Sequence, residues 1–205
     1  AFRQFYWRFI EENIAYFDDG LRKQIKKQAK ASKLDKSFMK KKELTKEIKL
    51  YSSSFTIKYT LHNTGEKEIV TDEYVHNFMA TDNALKGKEY ALEFPFKLEP
   101  QLFDETVNTE QKVTIGSNRI TFKETPKEQF FFSNLSGGKL ENAAWTLLNS
   151  NTKIGIQETG NFQTNKMNVW GWGHVISPEL FFKINIKAGK ALEWTRTFEV
   201  FKINS

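Results

Sequence analysis

Three histidines and a scatter of carboxylates are what this chain of 205 residues offers for proton chemistry, because it contains no cysteine. His76 has the most suggestive setting. It alternates with Tyr74 and Phe78, so in an extended strand an imidazole and two aromatic rings point the same way. Near the other end, Trp170-Gly-Trp172-Gly-His174 repeats the arrangement, with two indoles and a second imidazole on one face. Glu179 follows directly behind Pro178, a residue that holds Ser177 extended. Glu158, before Thr159-Gly160, is a second candidate carboxylate, and Asn77 and Asp82 are candidate partners for hydroxyls. Arg196 alternates with Trp194 and Phe198, an odd phase for a surface charge, and could pair with Glu179 or with an acidic ligand. A histidine beside a carboxylate can move protons near neutral pH. Aromatic faces stack on the flat C–H surfaces of ligands such as sugars. Each residue also has a plainer reading: in-phase histidines are commonly hydrogen-bonded core residues, and tryptophans commonly pack cores.

Other chemistries lack their signatures. There is no glycine-rich phosphate loop, no His/Asp cluster at metal-ligand spacing and no Ser–His–Asp set in a recognisable context. Neither a metal nor another cofactor is expected. No apolar run reaches the ~18 residues of a membrane span, and no signal peptide is present in the chain. No membrane partner is expected, and the absence of cysteine fixes no compartment.

The elements that must position these residues read as strands. A content of 39% hydrophobic and 15% aromatic residues, with 19 Phe, fits one sizeable core. A single β-sandwich domain over residues 1–205 is the expectation. Residues 1–17 are dense in aromatics and read as one or two strands. Residues 21–50 form a basic, weakly patterned connecting segment. Between Arg22 and Lys49, twelve Lys/Arg face three acids, a net +9, whereas the whole chain carries +6; everything else therefore sums to −3. The basic run lacks the interleaved aromatics of single-strand binding, so a solvated surface leading to an edge strand near Leu44–Leu50 is expected, and no nucleic acid.

From residue 51 the chain alternates strand and turn. Tyr51–Leu61 and Ile69–Met79 read as a central hairpin, its turn resting on Asn63 and Gly65 as residues that tolerate positive φ. Tyr90–Leu98 follows, with Pro95 marking an edge or bulge. Further strands are Lys112–Ile115, Arg119–Phe122, Phe130–Phe132, Ala143–Leu148, Lys153–Gln157, Asn168–His174, Leu180–Ile186 and Leu192–Ile203. Many short strands with regular turns predict an all-β, antiparallel sandwich.

Asn63-Thr-Gly65, then His76-Asn-Phe78 and Asp82, resembles the central hairpin of galactose mutarotase-like proteins, the aldose 1-epimerase superfamily. Val175-Ile-Ser-Pro-Glu-Leu180, Ile186-Lys-Ala-Gly189 and Trp194-Thr-Arg-Thr-Phe198 resemble that family's closing strands. The resemblance runs in order over roughly residues 48–203 and implies a large antiparallel supersandwich whose concave sheet cradles a sugar. Family domains are longer, and the unmatched region before residue 50 implies a shortened N-terminal half. The implied chemistry is sugar mutarotation by general acid–base catalysis without a cofactor. A glutamate deprotonates the anomeric hydroxyl, a histidine protonates the ring oxygen, and a second histidine holds hydroxyls. Carried over, His76 matches the earlier histidine and Glu179 the base; Asn77, Trp170, Trp172, His174 and Arg196 are candidate sugar contacts on their own phase and chemistry, without a family match. The second histidine has no match, since no His occurs between residues 77 and 173. The alternatives left open are a non-catalytic carbohydrate-binding module on the same fold, and an interaction domain whose basic segment meets an acidic partner.

Overall fold

The computed structural model describes residues 41–81 and 85–203. The strands expected in 1–17, most of the basic segment, and Asp82 lie outside the described residues. The strands are β1 (Lys42–Leu50), β2 (Ser54–Asn63), β3 (Ile69–Glu73), β4 (Tyr90–Glu93), β5 (Glu105–Val107), β6 (Val113–Ile115), β7 (Arg119–Phe122), β8 (Phe130–Ser133), β9 (Glu141–Asn149), β10 (Ile154–Thr164), β11 (Met167–Trp172), β12 (Val175–Leu180), β13 (Phe182–Ile186) and β14 (Ala191–Lys202). Among the described residues one 3₁₀ turn, Pro100–Leu102, interrupts them. The fold is all-β. An eight-stranded sheet runs β1-β2-β14-β10-β9-β4-β7-β6, a four-stranded sheet runs β12-β11-β8-β5, and β13 pairs with β3.

The chain forms two compact units. The larger comprises, of the described residues, 45–60, 73–81, 85–183 and 193–203. Its core lies between the eight-stranded and four-stranded sheets, where alternate residues of each strand turn inward. Tyr90 and Leu92 of β4, Ile120 and Phe122 of β7, Trp145 and Leu147 of β9 and Phe198 of β14 meet Phe130 and Phe132 of β8, Met167 and Val169 of β11, and Ile176 and Leu180 of β12. This period-2 burial is the physical content of the alternation visible in sequence. Stacked pairs extend it: Phe55 on Phe198 at 4.9 Å and Tyr59 on Trp194 at 5.1 Å between centroids.

The smaller unit comprises, of the described residues, 41–44, 61–72 and 184–192. Here Asn63 does not work through a positive φ, and neither does Gly65. Five residues separate β2 from β3, so no two-residue reversal is required. The Asn63 side chain organises the link instead: Nδ2 donates to Lys67 O and Ile186 O, and Oδ1 accepts from the Gly65 N–H.

Two prolines explain two further departures from the expected strands. β4 lies between β9 and β7 and needs its N–H groups on both sides, so it ends at Glu93, before Pro95. Pro178 sits inside β12, which the sequence reading left outside a strand. β12 is at the edge of its sheet, where a missing N–H is tolerated. The expected central hairpin does not form, since β2 lies between β1 and β14 while β3 pairs with β13; β3 stops at Glu73, and residues 74–78 continue without ladder pairing.

Candidate functional site

β11 and β12 pair antiparallel, with Asn168 opposite Glu179, Trp170 opposite Ser177 and Trp172 opposite Val175. The intervening residues Met167, Val169, Ile176 and Leu180 belong to the core, so these three pairs lie on the outer face of the four-stranded sheet. Gly171 turns inward, where an added Cβ would lie 2.3 Å from Phe130 Cζ. The Trp-Gly-Trp spacing therefore has a steric cause: the core position has no room for a side chain, and both indoles are left outside. Across the sheet, Val107 of β5 pairs with Phe131 of β8, and Phe131 with Trp170. The result is one row, Val107–Phe131–Trp170–Ser177, spanning four strands.

Residues 74–78 lie over the β12 end of this row. Asn77 turns inward and anchors them, its Nδ2 donating to Glu158 Oε2 at 2.7 Å and to Pro178 O at 2.9 Å. Met79 bonds reciprocally with Ile176. With Asn77 inward, alternation turns His76 and Phe78 outward. Their rings lie 4.6 Å apart, and each meets Trp170, at 5.4 Å and 5.8 Å. Trp172 contacts the His174 ring at 5.6 Å further along the same face. Both indole N–H groups are committed, Trp170 Nε1 to Gln129 Oε1 and Trp172 Nε1 to Lys127 O. The rings are thereby fixed while surface remains open: Phe78 is 62% exposed and Trp172 41%.

Glu179 lies beneath this aromatic group with only 4% of its surface exposed. Its Oε1 is 3.1 Å from His76 Nε2, and His76 Nδ1 is 2.9 Å from Ser177 Oγ. Burial pushes the Glu179 carboxyl up to about 7, against hydrogen bonds from Asn168 and Ser177 and the charge of Lys166, which pull it down. Burial also holds the His76 imidazole below its ordinary value. Both shifts favour the neutral forms of the two groups, and at this separation they titrate as a pair.

Arg196 and Glu158 occupy a different place. Arg196 is fully buried, and its guanidinium donates to Glu158 Oε1 at 2.7 Å and to Glu73 Oε2 at 2.8 Å, rather than to Glu179. Trp145 Nε1 donates to Glu158 Oε2 at 2.7 Å. Burial raises the Glu158 pKa, and the guanidinium, the indole and the Asn77 amide oppose it. This buried network reaches the elements of the outer face through Asn77 and through an Arg196 hydrogen bond to Leu180 O at 2.9 Å, beside Glu179. Of the residues singled out in sequence, His76, Glu179, Trp170, Trp172 and His174 share the outer face, while Asn77 and Arg196 lie behind it. His62 is elsewhere, its Nδ1 4.0 Å from Glu43 Oε2 in the smaller unit.

Sequence reasoning missed Ser177, Asn168 and Phe131. The first two were legible as the same-face neighbours of Glu179 and Trp170 once β12 was read as a strand through its proline. Ser177–His76–Glu179 has the composition of a hydrolase triad, but Ser177 is fully buried, so its hydroxyl cannot meet a substrate. Among the described residues no group of three His, Asp or Glu side chains could hold a metal ion, and no helix is long and apolar enough to cross a membrane.

No protein-family profile matches the sequence, and no curated protein matches it either. Solved structures do. A candidate aldose 1-epimerase from Escherichia coli K12 superposes with a TM-score of 0.56 at 8% identity, over 79% of this chain and 61% of that one. A galactose mutarotase-like protein from Clostridium acetobutylicum gives 0.53 at 9% identity, over 83% and 60%. A TPR-domain containing protein from Parabacteroides distasonis gives 0.53 at 10% identity, over 80% of this chain but 31% of that one. The fold is thus the galactose mutarotase-like β-sandwich, and the chain spans about three fifths of the length of the first two structures, 61% and 60%. The third shows that the fold also occurs within a larger protein of another description.

Proposed function

We propose that this protein binds a carbohydrate on the outer face of the four-stranded sheet. The observation that carries the reading is the row Val107–Phe131–Trp170, flanked by the exposed Trp172 and Phe78 and bordered by Asn168, Ser177, His76 and Glu179. A pyranose has a flat C–H face and a rim of hydroxyls. Fixed indoles and a phenyl ring suit the face; amide, imidazole and carboxyl groups suit the rim. Asn77 and Arg196 support the site from behind and touch no ligand directly.

A second reading, aldose 1-epimerase-type mutarotation, is favoured by the contact between Glu179 and His76. The anomeric hydroxyl oxygen and the ring oxygen are bonded to the same carbon, so adjacent groups on one side of a sugar can reach both. Ionised Glu179 takes the hydroxyl proton while protonated His76 gives one to the ring oxygen, the C1–O5 bond breaks, and rotation about C1–C2 precedes closure with the roles exchanged. Each cycle returns both protons. The His76–Glu179 hydrogen bond must open for a sugar to enter, and for that reason binding is the first reading and catalysis the second.

Tryptophan fluorescence titrations with D-galactose and D-glucose test the binding. The expected result is a saturable change, weakened at least tenfold, about 1.4 kcal/mol, in Trp170→Ala and Trp172→Ala. Polarimetry of freshly dissolved α anomers tests the chemistry: acceleration over buffer should pass through a maximum near neutral pH, falling at lower pH as Glu179 is protonated and at higher pH as His76 loses its proton, and vanish in Glu179→Gln. Binding without acceleration leaves the module reading alone; no binding to either sugar by wild type overturns it for hexoses of this kind.

A further inference from the structure

The two indoles of the outer face are held by a segment that has no ladder of its own. Trp172 Nε1 donates to Lys127 O at 2.9 Å and Trp170 Nε1 to Gln129 Oε1 at 3.1 Å. Both acceptors belong to residues 124–129, between β7 and β8. Residues 124–128 enter no backbone–backbone hydrogen bond among the described residues, and Pro126 has no N–H to give. What fastens the segment is a carboxylate. Glu110 Oε2 accepts from the Lys127 N–H at 2.6 Å and from the Glu128 N–H at 3.0 Å, while Oε1 accepts from Lys112 Nζ at 2.7 Å. The turn before β6 aims Glu110: the Gln111 N–H donates to Asn108 O at 3.0 Å, Gln111 takes a φ of 53°, and Asn108 Nδ2 donates to Val113 O at 2.8 Å. Gly173, next to Trp172, leaves room for the segment, since an added Cβ would lie 2.8 Å from Pro126 O.

We infer that Glu110 is a positioning residue of the aromatic face, and that it fixes the Trp172 ring through a single peptide unit. The Glu128 N–H and the Lys127 carbonyl are the two ends of one planar trans peptide and point in opposite directions. Glu110 grips the first end and the Trp172 indole the second, so the bonds run in line from carboxylate to peptide to ring. An ionised acceptor strengthens the first bond, and bonds in such a chain polarise one another. The Lys127 N–H on the same oxygen fixes the preceding peptide as well. Lys112 touches neither peptide, so the positioning goes through Oε2 and not through the ion pair. Trp170 depends on Glu110 less, because Gln129 leads directly into β8, where Phe130 pairs with Gly171. That a sugar meets the Trp172 ring rests on the reading proposed above; the clamp itself does not.

The test needs no sugar. ¹H–¹⁵N spectra of the full chain show the Nε1–H groups of its five tryptophans, which single Trp→Phe variants assign. In wild type the Trp172 Nε1–H should exchange with water far more slowly than a free indole, although the ring is 41% exposed. Glu110→Ala should speed that exchange about tenfold or more. The effect on Trp170 should be smaller, and Trp145, whose Nε1 donates to Glu158 inside the core, should not change. Glu110→Gln should keep most of the protection, since an amide oxygen can accept both N–H groups, and so should Lys112→Met. Free-indole exchange of Trp172 in wild type overturns the inference, and that measurement stands even if a variant fails to fold. An unchanged Trp172 in folded Glu110→Ala overturns it equally. So does a rise shared in full by Trp145, which would mark a general loosening. Each of these failures leaves carbohydrate binding intact, whereas failure of sugar binding leaves the exchange result standing.

Discussion

A carboxyl group nearly removed from water and beside a histidine is the main chemical feature of this molecule, and its cost is measurable. The Glu179 pKa stands raised from 4.5 to about 7, so the folded state holds the proton more tightly than the unfolded chain does. The stability this contributes is fully present below about 4.5 and is lost as pH rises through about 7, on the order of 3 kcal/mol in all. His76, lowered by burial, contributes in the opposite sense: its share is present above its ordinary value and is lost as pH falls. Glu179→Gln keeps the shape and removes the titration. Urea denaturation at pH 5.5 and 8.5 should show wild type losing stability toward the higher pH by more than the variant, with the variant the more stable of the two at pH 8.5. Equal losses would mean that Glu179 is ionised without penalty and is not held as described.

At the scale of elements, the site depends on β11 and β12 keeping strict alternation while residues 74–78 are fastened from behind. Gly171 is the critical position in β11, because its missing side chain lets the Phe130 ring fill the core under the two tryptophans. Gly171→Ala forces that ring or the strand to move and should cost about 1–3 kcal/mol, as overpacked cores do. Phe130→Leu should recover part of the loss in the double variant, as read by denaturant midpoints. An additive pair would show that the clash is relieved elsewhere. Residues 74–78 have no ladder of their own. Asn77 and the Met79–Ile176 bridge hold them, and Glu73, just before them, is tied to Arg196. The buried Glu158–Arg196 pair therefore acts on the outer face through Asn77, Glu73 and the Leu180 carbonyl, and its own stabilisation is offset by the desolvation of both charges.

For the molecule as a whole, the fold narrows function less than the site does, since one sandwich hosts several functions and the likenesses found are at 8–13% identity. The strong positive charge belongs to residues 22–49, and the rest of the chain is net negative. If the outer face alone binds sugar, replacing Lys23, Lys27, Lys30 and Lys36 by Gln should leave sugar affinity within about twofold in the same titrations. A loss of tenfold or more, about 1.4 kcal/mol, would make the basic segment part of the site.

The sequence by itself determined the class of fold and much of its phase. Period-2 burial is a local property, so Phe55 to Leu61, Ala143 to Leu147 and Trp194 to Phe198 could be read before any pairing was known. The turn residues located most of the strand ends. That Trp170, Trp172 and His174 share a face followed from the same alternation, while which way that face points did not. What only the tertiary structure decided was partnership and depth. Which sheet a strand joins is a long-range matter, and Pro178 could be accepted in β12 only because that strand is an edge. Arg196 was visibly out of place in sequence, but its choice of Glu158 and Glu73 over Glu179 depends on strands β10, β14 and β3 converging. The closeness of His76 to Glu179 and Ser177, more than a hundred positions apart along the chain, arises because Asn77 is drawn inward to a buried carboxylate and turns its neighbour over. No spacing rule reaches that far, since the cause is a hydrogen bond across the core.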